Sequence, residues 1–193
     1  MRRLLTSTLA AFVLTLVSAG CGPADDDEPA AAFDIDGTEA IMTGVIGPTT
    51  PDVVRALIDD HPDVTTIVLV DVPGSIDDVS NLEAAREIRD AGLATHVPAD
   101  GEIASGGVDF FLAGDPRSYD PGAAFGVHSW ATGDGTEGAD VPRDDPEHDL
   151  FLDYYAEIGV DDDFYWFTLD AAPAEAIHIM TPAELDRFAF ATE

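Results

Sequence analysis

Two residues of this chain have side chains that can do chemistry and stand where a predicted strand ends. Ser105 lies in the small-residue run Ile103 to Gly107, which predicts a sharp junction from a strand to a helix with an exposed hydroxyl. Free N–H groups and the dipole at a helix start favour a negative charge that develops there. His128 ends the next predicted strand, 23 residues after Ser105. Each residue also has a structural explanation, an N-cap for the serine and a packed ring for the histidine.

A third loop with unusual residues runs from Asp71 to Ser75 and follows the most hydrophobic predicted strand. Pro73 and Gly74 impose a tight turn there, and glycine permits a close approach of another backbone or an anion. Ligands bind at the carboxyl ends of strands in open α/β sheets. The three loops are therefore the candidates for a functional site.

The segments that must position these loops alternate between strand and helix patterns. Strands are predicted over 40–46, 65–71, 94–97 and 123–128, and helices over 50–60, 76–91, 105–113 and 147–158, with a closing element at 181–188. The run Thr65 to Asp71 is rich in β-branched residues and continuously apolar at its centre, as in strands buried on both faces of a parallel sheet. Alternation at this spacing predicts βαβ units with right-handed crossovers, and hence a single α/β domain with a mostly parallel sheet.

The composition excludes several classes of partner. The chain has 193 residues, 39 of them Asp or Glu against eight basic residues, all arginine, and a formal net charge of -31. This charge repels phosphate backbones and anionic lipid headgroups, so we expect neither nucleic acid nor electrostatic membrane binding. No glycine-rich phosphate loop with a Walker lysine and no metal motif occurs in the sequence, so we expect no ATP, cofactor or metal.

The first twenty residues have the pattern of a signal peptide. Arg2 and Arg3 precede an apolar run from Leu4 to Val17, and small residues follow before Cys21. The stretch 17–21 resembles the lipobox of bacterial and some archaeal lipoproteins, in which the cysteine is lipidated and becomes the mature N-terminus. The alternative is an ordinary cleaved signal with an incidental cysteine.

Cys21 is the only cysteine, so lipidation explains it better than a disulfide or a thiolate metal site does. The segment that follows is rich in Ala, Asp, Pro and Glu and buries too little apolar surface to order itself. We therefore expect residues 1–20 to be a lipoprotein-type signal, 21–39 a disordered acidic tether and 40–193 the folded domain.

The order and spacing of the three loops resemble the ClpP-like serine proteases of the Clp protease/crotonase superfamily. Members of that family carry a Pro-Gly-Gly turn for the oxyanion, a nucleophilic serine at a helix start and a histidine on a following strand. The run Phe111 to Arg117 also looks like the F-x-A-G-x-x-R stretch of exported, ATP-independent members. Further similarity lies at 154–155, 164–166 and 180–185. The resemblance covers roughly residues 43–192 and implies the family's mostly parallel sheet with flanking helices.

Acyl transfer is the chemistry that this resemblance implies. Ser105 is the expected nucleophile and His128 its general base. The oxyanion hole is expected at the N–H groups of Ser75 or Gly74 and of Gly106. Glu175 is the first candidate for the carboxylate that orients the histidine, and Asp170 is the second.

Two residues depart from the family pattern. Ser75 replaces the second glycine of the turn, and because a residue with a Cβ tolerates positive φ badly, we expect a shifted oxyanion loop. Asp109 follows Ser105 by four residues on the same helix face, where an apolar residue is expected. A buried carboxylate there would bond locally or oppose the oxyanion.

The leading hypothesis is a lipid-anchored, ATP-independent serine hydrolase, a peptidase on the periplasmic or cell-surface side. Its partners would be peptide substrates or envelope proteins, and it would contact the membrane through the N-terminal lipid only. A homo-oligomer is also expected, since the family commonly builds rings or trimers. The rival is a catalytically degenerate member that serves as a binding or assembly module of the envelope. CoA-thioester chemistry on the related crotonase fold is disfavoured because CoA is an intracellular carrier.

Overall fold

Strands and helices alternate along the chain in the computed structural model, which describes residues 29–192. The strands are β1 Ala32–Asp36, β2 Glu39–Thr43, β3 Thr66–Val72, β4 Ala94–Val97, β5 Glu102–Ala104, β6 Arg117–Tyr119, β7 Ala124–Val127 and β8 His178–Ile179. The helices are α1 Thr50–Asp60, α2 Asp78–Asp90, α3 Gly106–Leu112, α4 Asp149–Ile158, α5 Asp162–Ala171 and α6 Pro182–Arg187. Among the described residues, no helix is long and apolar enough to span a bilayer.

The sheet branches at β3. Strand β2 runs parallel to β3 along one edge, with Glu39 opposite Thr66. On the other edge the first half of β3 pairs with β4, which continues to β6, whereas the second half pairs with β5, which continues to β7. These pairings are all parallel, and only the outer strands β1 and β8 are antiparallel to their neighbours. The predicted α/β class with a mostly parallel sheet is confirmed.

Helix α2 begins immediately after the turn that follows β3, and its start has a clear local cause. The carboxylate of Asp77 accepts a hydrogen bond from the Ser80 N–H at 2.7 Å, which satisfies one of the free donors at the N-terminus. Leu82, Ala85 and Ile88 are fully buried along one face, as the 3.6-residue period predicts. The turn before α2 is therefore held between a buried strand and a capped, buried helix.

The N-terminal boundary of the folded part differs from the sequence-based expectation. Strand β1 lies inside the segment 21–39 that was expected to be a disordered tether, and it pairs antiparallel with β2 through Ala32 opposite Thr43. Phe33 and Ile35 alternate with acidic residues in β1, but the alternation covers only four positions in a mostly exposed segment, which is too short to indicate a strand. The folded domain thus begins near residue 30 and not at Ala40, while the signal, Cys21 and the first part of the tether lie outside the described residues.

Candidate active site

Ser105 joins β5 to α3 in an unusual backbone conformation. Its φ of 51° and ψ of −127° are rarely adopted by a residue with a side chain. The Ser105 N–H donates to the carbonyl of Gly126 at 2.9 Å, so the neighbouring strand β7 fixes the junction. The hydroxyl makes no capping hydrogen bond. An ordinary N-cap therefore does not account for this serine, and strain of this kind clusters at functional sites.

The turn after β3 packs directly against this junction. Gly74 has a φ of 147°, and a Cβ added there would lie 3.1 Å from the Ser105 Cβ. Glycine is needed at this position for both reasons, conformation and space. The positive φ falls on Gly74, whereas Ser75 does not have one, so the side chain of Ser75 does not strain the turn as the sequence suggested.

Three backbone N–H groups near Ser105 are free to bind an anion. The carbonyl of Gly74 accepts from the Ile46 N–H at 2.9 Å, which ties the turn to the chain after β2. The N–H groups of Gly74, Ser75 and Gly106, in contrast, have no hydrogen-bond acceptor among residues 29–192. Gly106 is the first residue of α3, where an N–H has no partner within the helix. An oxyanion hole is built from unpaired backbone N–H groups of this kind, and Gly106 lines the cleft together with Ser105.

His128 follows the last residue of β7 and presents one definite ring nitrogen for proton transfer. Its Nδ1 lies 2.7 Å from the carbonyl oxygen of Ser129. A carbonyl can only accept, so Nδ1 carries the proton and Nε2 keeps the lone pair. Ser129 is itself fixed, because its N–H donates to the Ala172 carbonyl at 2.8 Å. The ring is thus held in the tautomer that a general base needs.

Ser105 and His128 line the same cleft, between α3, α4, α5 and the end of β7. The Ser105 hydroxyl and the His128 ring do not hydrogen-bond to each other. Nδ1 of the ring is bonded to the Ser129 carbonyl, and Nε2 makes no bond to the hydroxyl. In proteins without substrate such bonds are often long and tighten only in the complex. The structure thus brings the predicted serine and histidine to one site.

The structure does not bring the predicted third residue to this pair. Glu175 is exposed and makes no hydrogen bond to His128, whose Nδ1 is bonded to the Ser129 carbonyl instead. Asp170, the second candidate, is exposed and lies 3.8 Å from Arg143. The orienting role is therefore filled by a backbone carbonyl.

A buried carboxylate at Asp109 forms part of the cleft wall. The side chain is 8% exposed, and the Tyr155 hydroxyl donates to its Oδ1. Tyr154 donates to the Asp109 carbonyl at 2.7 Å, so two tyrosines of α4 hold this turn of α3. Burial raises the pKa of Asp109 to about 7, against the lowering effect of the Tyr155 bond and with a smaller raising effect from Asp78. Of the two outcomes expected for this residue, the local hydrogen bond is the one observed.

Asp78 is a second carboxylate of the cleft, and sequence reasoning missed it. It is the first residue of α2, and it accepts a hydrogen bond from the Ser75 hydroxyl at 2.8 Å. Burial raises its pKa, the Ser75 bond lowers it, the neighbouring charge of Asp77 raises it and His128 lowers it. The available signal was its position, since Asp78 follows the turn residue Ser75 by three positions and opens the next helix.

Comparisons with known proteins concern the fold. No family model matches the chain, and no curated protein matches it by sequence. Among solved structures, a mutant of the 1510-N membrane-bound stomatin-specific protease is 15% identical with a TM-score of 0.51, covering 77% of this chain and 75% of that one. An enoyl-CoA hydratase from Bacillus halodurans is 13% identical with a TM-score of 0.50, covering 84% and 72%. The chain has the ClpP/crotonase fold. At 13–15% identity the likeness shows the fold alone and not the chemistry of the site.

Proposed function

We propose that this protein is an extracytoplasmic, lipid-anchored serine hydrolase that acts as an ATP-independent peptidase. One observation carries the proposal: Ser105 is held at positive φ beside free N–H groups, in a cleft that also contains a histidine of defined tautomer. This combination supplies a nucleophile, a base and oxyanion donors, which is the minimum that acyl transfer needs. The ClpP/crotonase fold is compatible with it, since it accommodates a protease among the similar structures.

The proposed reaction uses each of these groups in turn. Nε2 of His128 removes the proton from the Ser105 hydroxyl as Oγ bonds to the peptide carbonyl carbon, and the carbonyl electron pair moves to oxygen. The N–H groups of Ser75 or Gly74 and of Gly106 hold this oxyanion, each worth about 3–4 kcal/mol in measured cases. The histidine then gives its proton to the leaving amine as the C–N bond breaks, and water releases the acyl group by the same steps in reverse.

The charged form of His128 has support without a hydrogen-bonded carboxylate. The Ser129 carbonyl accepts from Nδ1 in both protonation states, so it keeps the ring in place throughout. Asp78 lies near enough to the imidazole that the charge of His128 lowers the pKa of Asp78. A backbone carbonyl gives less stabilisation than a carboxylate would, so we expect a slow enzyme.

Export and anchoring are the part of the proposal that the N-terminal sequence supports. The signal pattern over residues 1–20 and the lipobox-like stretch ending at Cys21 would place the folded domain on the periplasmic or cell-surface side. Peptides or envelope proteins would then be the substrates. Self-assembly into a homo-oligomer remains part of the proposal.

A fluorophosphonate probe tests the hydrolase directly, because it reacts only with activated serines. We expect the wild-type chain to be labelled, Ser105→Ala to show no labelling and His128→Ala to label at least tenfold more slowly. Ser118→Ala is the matched control, because Ser118 bonds to His96 outside the cleft and its loss should leave labelling unchanged.

Absence of wild-type labelling across pH and salt would contradict the hydrolase. The degenerate binding or assembly module would then be the better account of this chain. Labelling that persists in Ser105→Ala would place the reactive serine elsewhere.

A further inference from the structure

We propose that the cleft beside Ser105 binds a cationic side chain, so that the peptidase prefers substrates with Arg or Lys on the acyl side of the cleaved bond. Asp109 is the residue that determines this preference. The inference rests on the proposed function for its reaction, but the cation subsite itself can be tested without turnover.

The charge of the cleft favours a cation. Its charged lining consists of the carboxylates of Asp78 and Asp109, and no arginine contributes to the wall among the described residues. These carboxylates would repel an anionic substrate group and offer a neutral donor only a hydrogen bond, whereas an ammonium or guanidinium group would form a stronger, charge-assisted pair with them. The subsite thus selects by charge.

Much of the remaining wall is aromatic and suits the same ligand. Five rings line the cleft, those of Trp130, Phe151, Tyr155, Phe164 and Tyr165. Aromatic faces attract cations, by about 0.5–2 kcal/mol in proteins, and they also pack against the methylene stem of a lysine or arginine. An aliphatic side chain would gain the packing alone.

One oxygen of Asp109 is free to accept from the ligand. Oδ1 accepts from the Tyr155 hydroxyl. Oδ2 has no protein partner among residues 29–192, and since it is not among the fully buried polar atoms without partners, it keeps some contact with solvent at the cleft wall to which Asp109 belongs. When a ligand fills the cleft and displaces water, this oxygen needs a donor in place of the water it loses. A substrate cation supplies that donor.

The position of Asp109 matches the reach of a long side chain. It lies four residues after Ser105, slightly more than one helical turn, or about 6 Å along the axis of α3. A substrate whose carbonyl meets Ser105 would need several side-chain atoms to reach this carboxylate. Arginine and lysine have that length, and short polar residues do not.

Cation binding and proton release are coupled at this site. The groups that face Asp109 are Asp78 of α2, Tyr154 and Tyr155 of α4, Tyr165 of α5 and His128 after β7. Since burial raises the pKa of Asp109 to about 7, a good part of the protein holds a proton there at neutral pH. A bound cation favours the ionised form, so the preference for a cation should strengthen as pH rises from 6 to 8.

The test compares peptides that differ only in charge at the position before the cleaved bond. Fluorogenic peptides with arginine and with citrulline, its uncharged isostere, would be cleaved by wild type with a kcat/KM ratio of at least tenfold at pH 8. In Asp109→Asn this ratio should fall below threefold. Asp186→Asn, which removes an exposed carboxylate of α6 outside the cleft, should keep the wild-type ratio.

Equal cleavage of the two peptides by wild type, or an unchanged ratio in Asp109→Asn, would overturn the inference and leave the hydrolase intact. If no peptide is cleaved, the cation subsite is tested by measuring the binding of benzamidine to Ser105→Ala by calorimetry. Binding that is lost with the additional Asp109→Asn change supports the cation subsite even if the proposed reaction fails. Absence of binding to Ser105→Ala contradicts it.

Discussion

At the scale of single residues, the cleft places a carboxylate where a neutral group would be more stable. Asp109 is buried in a wall of aromatic rings, and its compensation is one hydrogen bond from Tyr155. A residue that lowers stability at a site of this kind is better explained by function than by packing. The effect on stability can be measured separately from any activity.

Asp109→Asn should stabilise the fold, and more so at high pH. In the unfolded chain this carboxyl has its ordinary pKa of 3.8, whereas in the folded chain the pKa is about 7. The folded state therefore binds a proton that the unfolded state releases, and stability falls as pH rises from about 4 to 7. At 1.36 kcal/mol per pKa unit the full cost is on the order of 4 kcal/mol.

Urea unfolding of wild type and Asp109→Asn at pH 5 and pH 8, at equal salt, measures this effect. The difference in unfolding free energy between the two proteins should grow by at least 1 kcal/mol from pH 5 to pH 8. Asp186→Asn should show no such growth. A difference that stays constant with pH would mean that Asp109 ionises normally in the folded chain.

At the scale of elements, the start of α3 depends on close packing against the turn after β3. A Cβ added at Gly106 would lie 2.6 Å from the Ser75 Cβ and 2.7 Å from the Asn81 Nδ2. The amide of Asn81 is itself buried and donates to the Gly106 carbonyl at 3.0 Å. Glycine at this position therefore sets the distance between two of the proposed oxyanion donors.

Gly106→Ala should separate the turn from α3 and so damage the oxyanion hole. We expect at least a tenfold loss in the rate of fluorophosphonate labelling, because the loss of one donor costs about 3–4 kcal/mol in measured cases. Overpacking should also lower stability by about 1–3 kcal/mol. Gly133→Ala is the control, since a Cβ there meets no atom within 4 Å. A labelling rate and stability equal to wild type in Gly106→Ala would refute the close packing.

The sequence predicts the elements whose residues follow a period or a turn rule. The bounds of α1 are predicted as observed, because Pro51 marks its start and its apolar face has helical spacing. The three loops are predictable because their glycine, proline and small residues follow turn rules. The bonding partner of His128 is not, since a backbone carbonyl carries no sequence signal.

Short or uniformly apolar elements escape such rules. Strands β5 and β6 have three residues each, too few to show alternation. Helix α5 is missed because its aromatic run Phe164 to Phe167 is continuous and shows no helical period of apolar and polar residues. Strand β1 is missed because its side chains are mostly exposed and its neighbours are acidic.

At the scale of the whole molecule, the anchoring of the chain can be tested apart from its chemistry. If Cys21 is lipidated, cells that express the full chain should incorporate a labelled fatty acid into it and retain it in the membrane fraction. Cys21→Ser should lose the label and leave that fraction, while Ser105→Ala should behave as wild type. Equal membrane retention of Cys21→Ser without label would contradict the lipid anchor.

The branching of the sheet at β3 has a consequence for how this fold can change. Two register pairs, Asp71 with Glu102 and Val72 with Ile103, join β3 to the strand that leads to Ser105 and then to β7 and His128. The other branch, through β4 and β6, contributes no residue to the cleft. Protein engineers can therefore treat β4 and β6 as scaffold and redesign the cleft branch for new substrates, with the alignment of the two halves set by a single shared strand.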